Sequence, residues 1–481
     1  MKRFFLALIL ITACACAQAV VCFSEENTPT SYEMEIVLFE SEQAANISLR
    51  ITYCNTTGEP LNHLMFSLYA NCFRRESTLP YDNDTLIKAF PYGYAPGGMD
   101  IKSIRVDGEE AMWAVSGENE AYLRVPVALE SGDTCVIDFE YTLLLTKNHA
   151  FLGMSDTDIR FTGFYPSLCV YEDGDFATNA LTRAGRSLYS GLCNFDIRLI
   201  LPTDYDIACA GEIASLDAGD RKSISFRIEN ARQAAFAVSR KFHKKTDTSA
   251  SGVLVSAYGQ ARSDLKEAAG YAASAIDFFE KTIAPFPYSS FTLCFSSLAG
   301  QNLSASGIAL LARDGFDKTE ICKQVALQYF YDRVHPNPAM EAWLSDGLAE
   351  YLSMICIRET QGDSAFARLL NSRVLPSLQI TIPGGLTPAS ESTRFQTISE
   401  YETVISLRGA AALHEVETAM GEEAFLSGIK EYCKENAFKT PVSDDFVRAF
   451  ERATGRNWAN AIYHWLYTID EYAGENLYEY N

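Results

Sequence analysis

The sequence is poor in the residues that build metal and phosphate sites. It has six histidines among 481 residues, and no two of them stand three or four residues apart, as a pair of zinc ligands on one helix would. It contains no Cys-x-x-Cys pair, which argues against a structural zinc module. Internal repeats and a glycine-rich phosphate-binding loop are also absent from the sequence.

Positive charge is scarce as well. The chain has 40 Lys and Arg against 62 Asp and Glu, which gives a net charge of −22. This balance repels nucleic acid and anionic membrane surfaces, so we expect no nucleic-acid partner. With 48% hydrophobic residues the chain is long and apolar enough to form two or three globular domains.

The first 19 residues have the pattern of a secretory signal. Lys2 and Arg3 precede an apolar run over residues 4–12, and residues 17–19 read A-x-A, a cleavage pattern. Residues 11–14 also resemble a bacterial lipobox, so a lipid anchor at Cys14 is the alternative. No later stretch reaches the roughly 20 apolar residues of a membrane helix. We therefore expect an extracytoplasmic protein without a transmembrane helix.

The 13 cysteines do not form a recognisable disulfide framework. Ten of them are spread widely and irregularly from Cys54 to Cys433. Cys294, Cys322 and Cys356 lie in apolar runs and are typical of small buried hydrophobic residues. One or two disulfides are compatible with export, but the sequence does not pair them.

The chain divides into a β-rich and a helix-rich part. After a linker over residues 20–31, residues 32–245 show short alternating apolar and polar runs separated by turns, which predicts an antiparallel β-sandwich or saddle. A Ser- and Thr-rich junction follows. Residues 252–468 then read as mixed and mostly helical, and residues 469–481 form an acidic, Tyr-rich tail. The predicted fold class is α+β.

Residues 321–356 stand out within the helical part. Apolar residues repeat at helical spacing on both sides of a Pro-containing turn, which predicts two packed helices. Asn337 is the predicted N-cap of the second helix and Pro338 its first residue. Further helices are predicted over residues 263–282, 401–420 and 444–466.

The second of these helices contains WLSDGLAEYL (residues 343–352), which resembles the W-L-N-E-G-F-A-E-Y helix of the membrane alanyl aminopeptidase family of gluzincin zinc metallopeptidases. The N-x-T-G-E-x-L turn at residues 55–61 and the strand at 66–71 resemble the amino-terminal domain of that family. The resemblance implies a β-sandwich domain followed by a thermolysin-like domain. In the family, the acid at the position of Asp346 is the third zinc ligand, and the H-E-x-x-H motif precedes it by a spacing that falls here on residues 323–327.

The residues at these family positions have the wrong chemistry for zinc. Lys323 and Leu327 stand where the two histidines would, and a protonated lysine repels a cation while leucine has no lone pair. Gln324 stands at the position of the general base and cannot accept a proton from water. Only Asp346 retains a group that binds metal, so we expect no zinc cofactor.

Two further family positions also differ. Gly307-Ile308 resembles the end of the strand G-x-M-E-x-P-G-I, which places Ser304 where a glutamate holds the amino group of the substrate. The helix over residues 401–420 resembles the one containing Y-x-K-G, which places Ser406 at the tyrosine that stabilises the oxyanion and Arg408 at the lysine. The predicted residues of the substrate cleft are Ser304, Gly307, Asp346, Glu350 and Arg408.

The sequence therefore predicts an exported, catalytically inactive homologue of a zinc aminopeptidase that acts as a peptide- or protein-binding or scaffold protein. A buried carboxylate without its metal needs a new partner, so the Lys323 ammonium is predicted to pair with Asp346. One alternative is an active metallopeptidase with atypical ligands, or a hydrolase that uses Asp346, Glu350 or a serine. Another is a structural surface module in which the cleft has no role.

Overall fold

The computed structural model describes residues 29–179, 181–261, 263–312 and 317–468, without the side chains of residues 217 and 218. The predicted signal, the alternative anchor at Cys14, most of the linker and the acidic tail lie outside these residues. Among the described residues, no helix combines the length and the apolar composition needed to cross a bilayer.

The amino-terminal part consists of β-strands and a short helix. Its strands alternate buried and exposed side chains, as in Thr30–Phe39, where Tyr32, Met34 and Ile36 are buried. Its elements are β1 Thr30–Phe39, β2 Ala44–Cys54, β3 Leu61–Ser67, α1 Asn83–Ala89, β4 Gly98–Val106, β5 Glu109–Glu110, β6 Ala114–Ser116, β7 Tyr122–Leu129, β8 Thr134–Leu144, β9 Gly153–Met154, β10 Ile159–Thr162, β11 Ser167–Leu168, β12 Tyr171–Glu172, β13 Asp175–Phe176, β14 Cys193–Pro202, β15 Asp206–Cys209, β16 Ile213–Ala218, β17 Arg221–Ala231 and β18 Ala235–Ser239.

These strands form an eight-stranded sheet in the order β16-β17-β14-β1-β2-β8-β4-β5 and two four-stranded sheets, β15-β18-β10-β9 and β11-β3-β7-β6. β12 and β13 form a separate hairpin. Neighbouring strands in the large sheet are antiparallel, except that β1 and β14 pair in parallel. The predicted β-rich, predominantly antiparallel domain is confirmed.

A five-stranded sheet begins the second part. Its strands are β19 His243–Thr248, β20 Leu254–Gly259, β21 Ser290–Ser296, β22 Leu303–Ala305 and β23 Ile308–Ala312, in the order β19-β20-β21-β23-β22. β19 includes part of the predicted Ser- and Thr-rich junction. Its polar residues form an edge strand because antiparallel pairing with β20 satisfies their backbone groups.

Helices make up most of the remainder. They are α2 Leu265–Thr282, α3 Lys318–Leu327, α4 Asp346–Gln361, α5 Asp363–Leu369, α6 Leu375–Ser377, α7 Ile398–Tyr401, α8 Gly409–Met420, α9 Glu422–Glu435, α10 Ser443–Thr454 and α11 Ala459–Tyr467. π-helical turns at Gln328–Arg333, Leu370–Val374 and Glu402–Arg408 extend or join these helices.

The helices α3 and α4 occupy the region of the two predicted helices, but α4 begins later than predicted. The Asn337 side chain accepts a hydrogen bond from the backbone of Ala339 at 3.0 Å, so it closes a local turn. A 3-10 turn, Ala342–Leu344, follows, and α4 starts at Asp346. The acid of the resembling motif therefore lies at the amino terminus of a helix, where the helix dipole favours a negative charge.

Three apolar clusters hold the chain together: one inside the β-rich part, one among the helices, and a smaller one between the two parts. The smaller cluster joins Ala237 of β18 to Tyr258 and Leu310 of the five-stranded sheet. Gly307 lies at the same junction with φ +70°, and a Cβ there would come within 2.8 Å of the Ala210 Cβ. Glycine therefore permits both the turn and the close approach of the two parts.

Candidate functional site

A cavity of about 300 Å³ lies between a loop of the β-rich part, residues 181–188, and the helices α3 and α4. Its lining mixes polar and apolar side chains. It includes Arg183, Arg186, Ser304, Lys323, Gln324, Tyr331, Asp346 and Ser406.

Asp346 is held by residues from both parts of the chain. Its Oδ1 atom accepts a hydrogen bond from Arg186 Nε at 3.1 Å and lies 3.1 Å from Arg186 Nη2 in an ion pair, and its Oδ2 atom accepts from the Tyr401 hydroxyl at 2.7 Å. Asp346 is only 4% exposed, so its charge depends on these partners. Arg186 comes from the β-rich part, and this ion pair therefore joins the two parts across the cavity.

The partners of Asp346 are themselves held in place. The Arg186 guanidinium lies 5.0 Å from the ring centroid of Tyr331, and the Tyr331 hydroxyl donates to the Leu188 carbonyl at 2.7 Å. Burial lowers the pKa of Arg186, but Asp346 and Tyr331 raise it further, so the guanidinium stays charged. Burial and the Asp346 carboxylate raise the pKa of Tyr401 well above its ordinary range, which keeps its hydroxyl a donor.

The predicted ion pair between Lys323 and Asp346 is wrong. Lys323 Nζ instead donates to Glu350 Oε2 at 2.9 Å, and Arg373 Nη2 lies 3.3 Å from Glu350 Oε1. Glu350 is one helical turn after Asp346 on α4 and therefore shares its face, while both oxygens of Asp346 already have partners. Lys323 thus neutralises Glu350 of α4 and not Asp346.

Burial disfavours the charged form of both Lys323 and Glu350, but the charged groups around them shift both pKa values toward the charged form. Glu350, Glu320 and Asp346 raise the pKa of Lys323 above 10.5, its ordinary value. Lys323 and Arg373 lower the pKa of Glu350 below 4.5, its ordinary value. The stabilisation from Glu350 is therefore complete above pH 4.5 and is lost as the pH falls through the lowered pKa. The stabilisation from Lys323 is lost only as the pH rises above 10.5.

We expect Glu350→Gln to lower the free energy of unfolding by about 3 kcal/mol at pH 7, because it leaves Lys323 buried without a counter-charge. The difference from the unsubstituted protein should shrink at acidic pH, where Glu350 itself becomes neutral. Urea unfolding across the acid range measures this difference, with the exposed Glu110→Gln as control. A difference that is the same at pH 3 and pH 7 would contradict the assignment.

The other family positions have structural partners. Gln324 Nε2 donates to Glu320 at 2.7 Å, and its Oε1 has no hydrogen-bond partner within the described residues. Leu327 is fully buried in the helical core. Ser304 Oγ accepts from Gln328 Nε2 at 2.8 Å, and Ser406 is buried but still lines the cavity.

Three of the five predicted cleft residues do not line the cavity. Gly307 forms the turn between β22 and β23 that approaches Ala210 of the β-rich part, and the Glu350 carboxylate is bound to Lys323. Arg408 faces away from the cavity, because its guanidinium donates to the backbone carbonyls of Ser377 and Ile380. Ser304 and Asp346 do line the cavity.

Sequence reasoning missed Arg186, Tyr401 and Arg373. Arg186 is 160 residues from Asp346, so no local spacing connects them. Tyr401 is five residues before Ser406, on the same helical segment that the motif alignment had identified. A search of that segment for the nearest tyrosine would have found it.

The residues at the metal positions of the family do not fit a zinc ion. Lys323 is cationic and ion-paired, Leu327 has no donor atom, and both carboxylate oxygens of Asp346 accept hydrogen bonds. In the described ranges, no group of three His, Cys, Asp or Glu side chains is arranged to hold a metal ion.

Comparisons with known proteins find similarity over the helical part of the chain. Residues 318–465 match the Peptidase family M1 domain. Aminopeptidase N of Haemophilus influenzae is 27% identical over 136 residues, and aminopeptidase N of Streptomyces lividans is 25% identical over 157 residues. These matches cover 27% and 31% of this chain, but only 15% and 18% of the relatives' own lengths.

The fold resemblance extends over nearly the whole chain. The M1 zinc metallopeptidase of Deinococcus radiodurans superposes with a TM-score of 0.67 at 14% identity and covers 92% of this chain and 94% of its own. A two-domain M1 zinc metallopeptidase variant bound to L-tryptophan gives 0.68 at 15% identity. The two-domain α+β architecture is therefore confirmed, and the resemblance that the WLSDGLAEYL helix predicted is borne out over residues 318–465, which match the Peptidase family M1 domain.

Proposed function

We propose that this chain is an exported, non-catalytic member of the M1 family that binds a peptide or a protein segment in the cavity between its two parts. The observation that carries the proposal is the pair of charge networks at the family's metal positions. Arg186 and Tyr401 engage Asp346, and Lys323 engages Glu350.

The chemistry of these residues supports a loss of hydrolysis. Peptide hydrolysis of this type needs a polarised water and a base that accepts its proton. Gln324 is not basic at any physiological pH, and the Lys323 ammonium places a positive charge where a cation would bind. Restoring either function requires more than one substitution, because the charge networks would also have to be dismantled.

The remaining cavity supports a binding role. A volume of about 300 Å³ is at the lower end of the range of ligand pockets and would hold a few residues of an extended peptide. Its walls offer amide and hydroxyl groups, such as Gln301, Asn302 and Ser406, which can pair with a peptide backbone. The exposed Arg183 at its rim adds a positive charge that has no carboxylate partner among the described residues.

Zinc content and hydrolysis of aminoacyl anilides test the absence of catalysis. We expect less than stoichiometric zinc in the purified protein, and no hydrolysis above the buffer rate with or without added zinc. The proposal fails if the protein binds one zinc per chain and chelation removes both the metal and an activity. That result would favour the alternative of a metallopeptidase with atypical ligands.

Calorimetric titration with a panel of synthetic tri- and tetrapeptides of varied charge tests the binding role. We expect Leu303→Trp, which places an indole in the cavity wall, to weaken any measured affinity at least about tenfold. Leu254→Trp is the matched control, because Leu254 is 44% exposed on β20 and does not line the cavity. Equal affinities of the two variants would exclude the cavity as the binding site.

Export is tested by fractionating cells that express the full chain or a chain lacking residues 1–19. We expect the full chain outside the cytoplasm and the shortened chain inside it. Metabolic labelling with a fatty acid, compared between the full chain and Cys14→Ala, distinguishes a lipid anchor at Cys14 from cleavage after residue 19.

A further inference from the structure

Two buried cysteines meet between α3 and α4, the helices that carry Lys323 and Glu350. Cys322 of α3 precedes Lys323, and Cys356 of α4 lies six residues after Glu350. Their Sγ atoms are 3.3 Å apart, and the side chains are 1% and 0% exposed. The two thiols therefore face each other across the contact between the helices that carry the family's metal positions.

We propose that Cys322 and Cys356 are a covalent cross-linking site, at which a disulfide replaces the missing metal as the tie between α3 and α4. In the family, one zinc bound at the positions of Lys323, Leu327 and Asp346 would join these same two helices. Among the described residues, the Lys323–Glu350 ion pair is the only salt bridge between α3 and α4. A disulfide next to that pair would hold the cavity floor together without a cation.

The chemistry of the cross-link is a thiol–disulfide exchange with a low-molecular-weight disulfide, such as oxidised glutathione. One cysteine thiolate attacks that disulfide and releases one glutathione thiol, and the second cysteine then displaces the other from the mixed disulfide. Two cysteine protons are transferred to the two released thiols, and the two electrons reduce glutathione. The Sγ–Sγ bond replaces the glutathione disulfide.

The cross-link has to form before α3 packs on α4. Cys322 is 1% exposed and Cys356 0%, so a dissolved disulfide cannot reach either thiol in the folded protein; the contact with Cys356 and burial also raise the pKa of the Cys322 thiol. The same burial protects the disulfide from reductants after folding. This inference is independent of catalytic silence and concerns only the covalent state of the two helices.

The proposal is tested by refolding the full chain in a glutathione redox buffer, followed by alkylation and tryptic mapping without reduction. This test does not depend on where the protein is located in the cell. Cleavage after lysine and arginine places Cys322 in the peptide 319–323 and Cys356 in the peptide 334–358, each with a single cysteine. We expect these two peptides to be linked. Fully alkylated peptides, or a link from either one to another cysteine, would overturn the proposal.

Thermal unfolding provides the second readout. Refolding and melting the protein in the presence of a reductant, which prevents the disulfide from forming, should lower Tm by roughly 4–10 °C relative to the protein refolded in the redox buffer. Cys356→Ala should abolish this response, whereas Cys433→Ala, at an equally buried cysteine on α9, should retain it. A response that persists in Cys356→Ala would show that another disulfide is responsible.

Discussion

Replacing Arg186 by methionine is expected to lower the free energy of unfolding by about 3–5 kcal/mol, because it leaves the Asp346 carboxylate buried with only the Tyr401 hydroxyl as its partner. Methionine keeps most of the aliphatic volume, so the change isolates the charge. Because Arg186 belongs to the β-rich part and Asp346 to α4, the loss should also weaken the contact between the two parts. Urea unfolding followed by fluorescence measures the effect.

Two controls make this result specific. Arg50→Met removes an exposed ion pair with Asp138, whose members are 56% and 30% exposed, and should cost less than about 1 kcal/mol. Combining Arg186→Met with Asp346→Asn removes the charge that was left unpaired, so the double variant should recover a large part of the loss. If Arg186→Met is no more damaging than Arg50→Met, the network does not stabilise the fold.

The second large effect is expected from rebuilding the motif. The triple variant Lys323→His, Gln324→Glu, Leu327→His restores two imidazoles one helical turn apart and a carboxylate between them. We expect it to bind zinc, whereas the unsubstituted protein does not bind it stoichiometrically. Its affinity should stay limited because Arg186 and Tyr401 occupy the oxygens of Asp346, the third family position.

Adding Arg186→Met to the triple variant should release Asp346 and increase the zinc affinity on the order of tenfold or more. Competition with a fluorescent zinc chelator measures both affinities, and zinc should raise Tm because it binds only the folded state. The matched control carries alanine at residues 323 and 327 with Gln324→Glu, which retains the added acid without the imidazoles. Equal zinc binding by this control and the triple variant would contradict the donor assignment.

These two experiments address different parts of the same site. The first tests whether the charge network around Asp346 holds the fold together, and the second tests whether histidines at positions 323 and 327 with a glutamate at 324 enable zinc binding. Both rest on Asp346, which retains the acidic character of the family position but whose oxygens now serve an interaction between the two parts of the chain.

The architecture could be predicted from the sequence to a large extent. Alternating burial in strands such as β1 and helical spacing around α3 and α4 follow from the periodicity of apolar residues, because these periods match the geometry of each element. The motif spacing placed Lys323 on the first of two helices and Asp346 on the second, although Asp346 was expected inside that helix and not at its start. The exact start of α4 was less predictable, because a local turn capped by Asn337 competes with helix formation.

The amino-acid sequence by itself determined the fold class, the resemblance of residues 318–465 to the M1 domain and the residue types at the motif positions, because these depend on residue type and on spacing along one chain. The tertiary structure alone decided the partners of the charges. Arg186 reaches Asp346 across 160 residues, Tyr401 takes the second oxygen, and Lys323 therefore turns to Glu350. A buried charge takes the best-placed counter-charge in three dimensions, and distance along the sequence does not encode that choice.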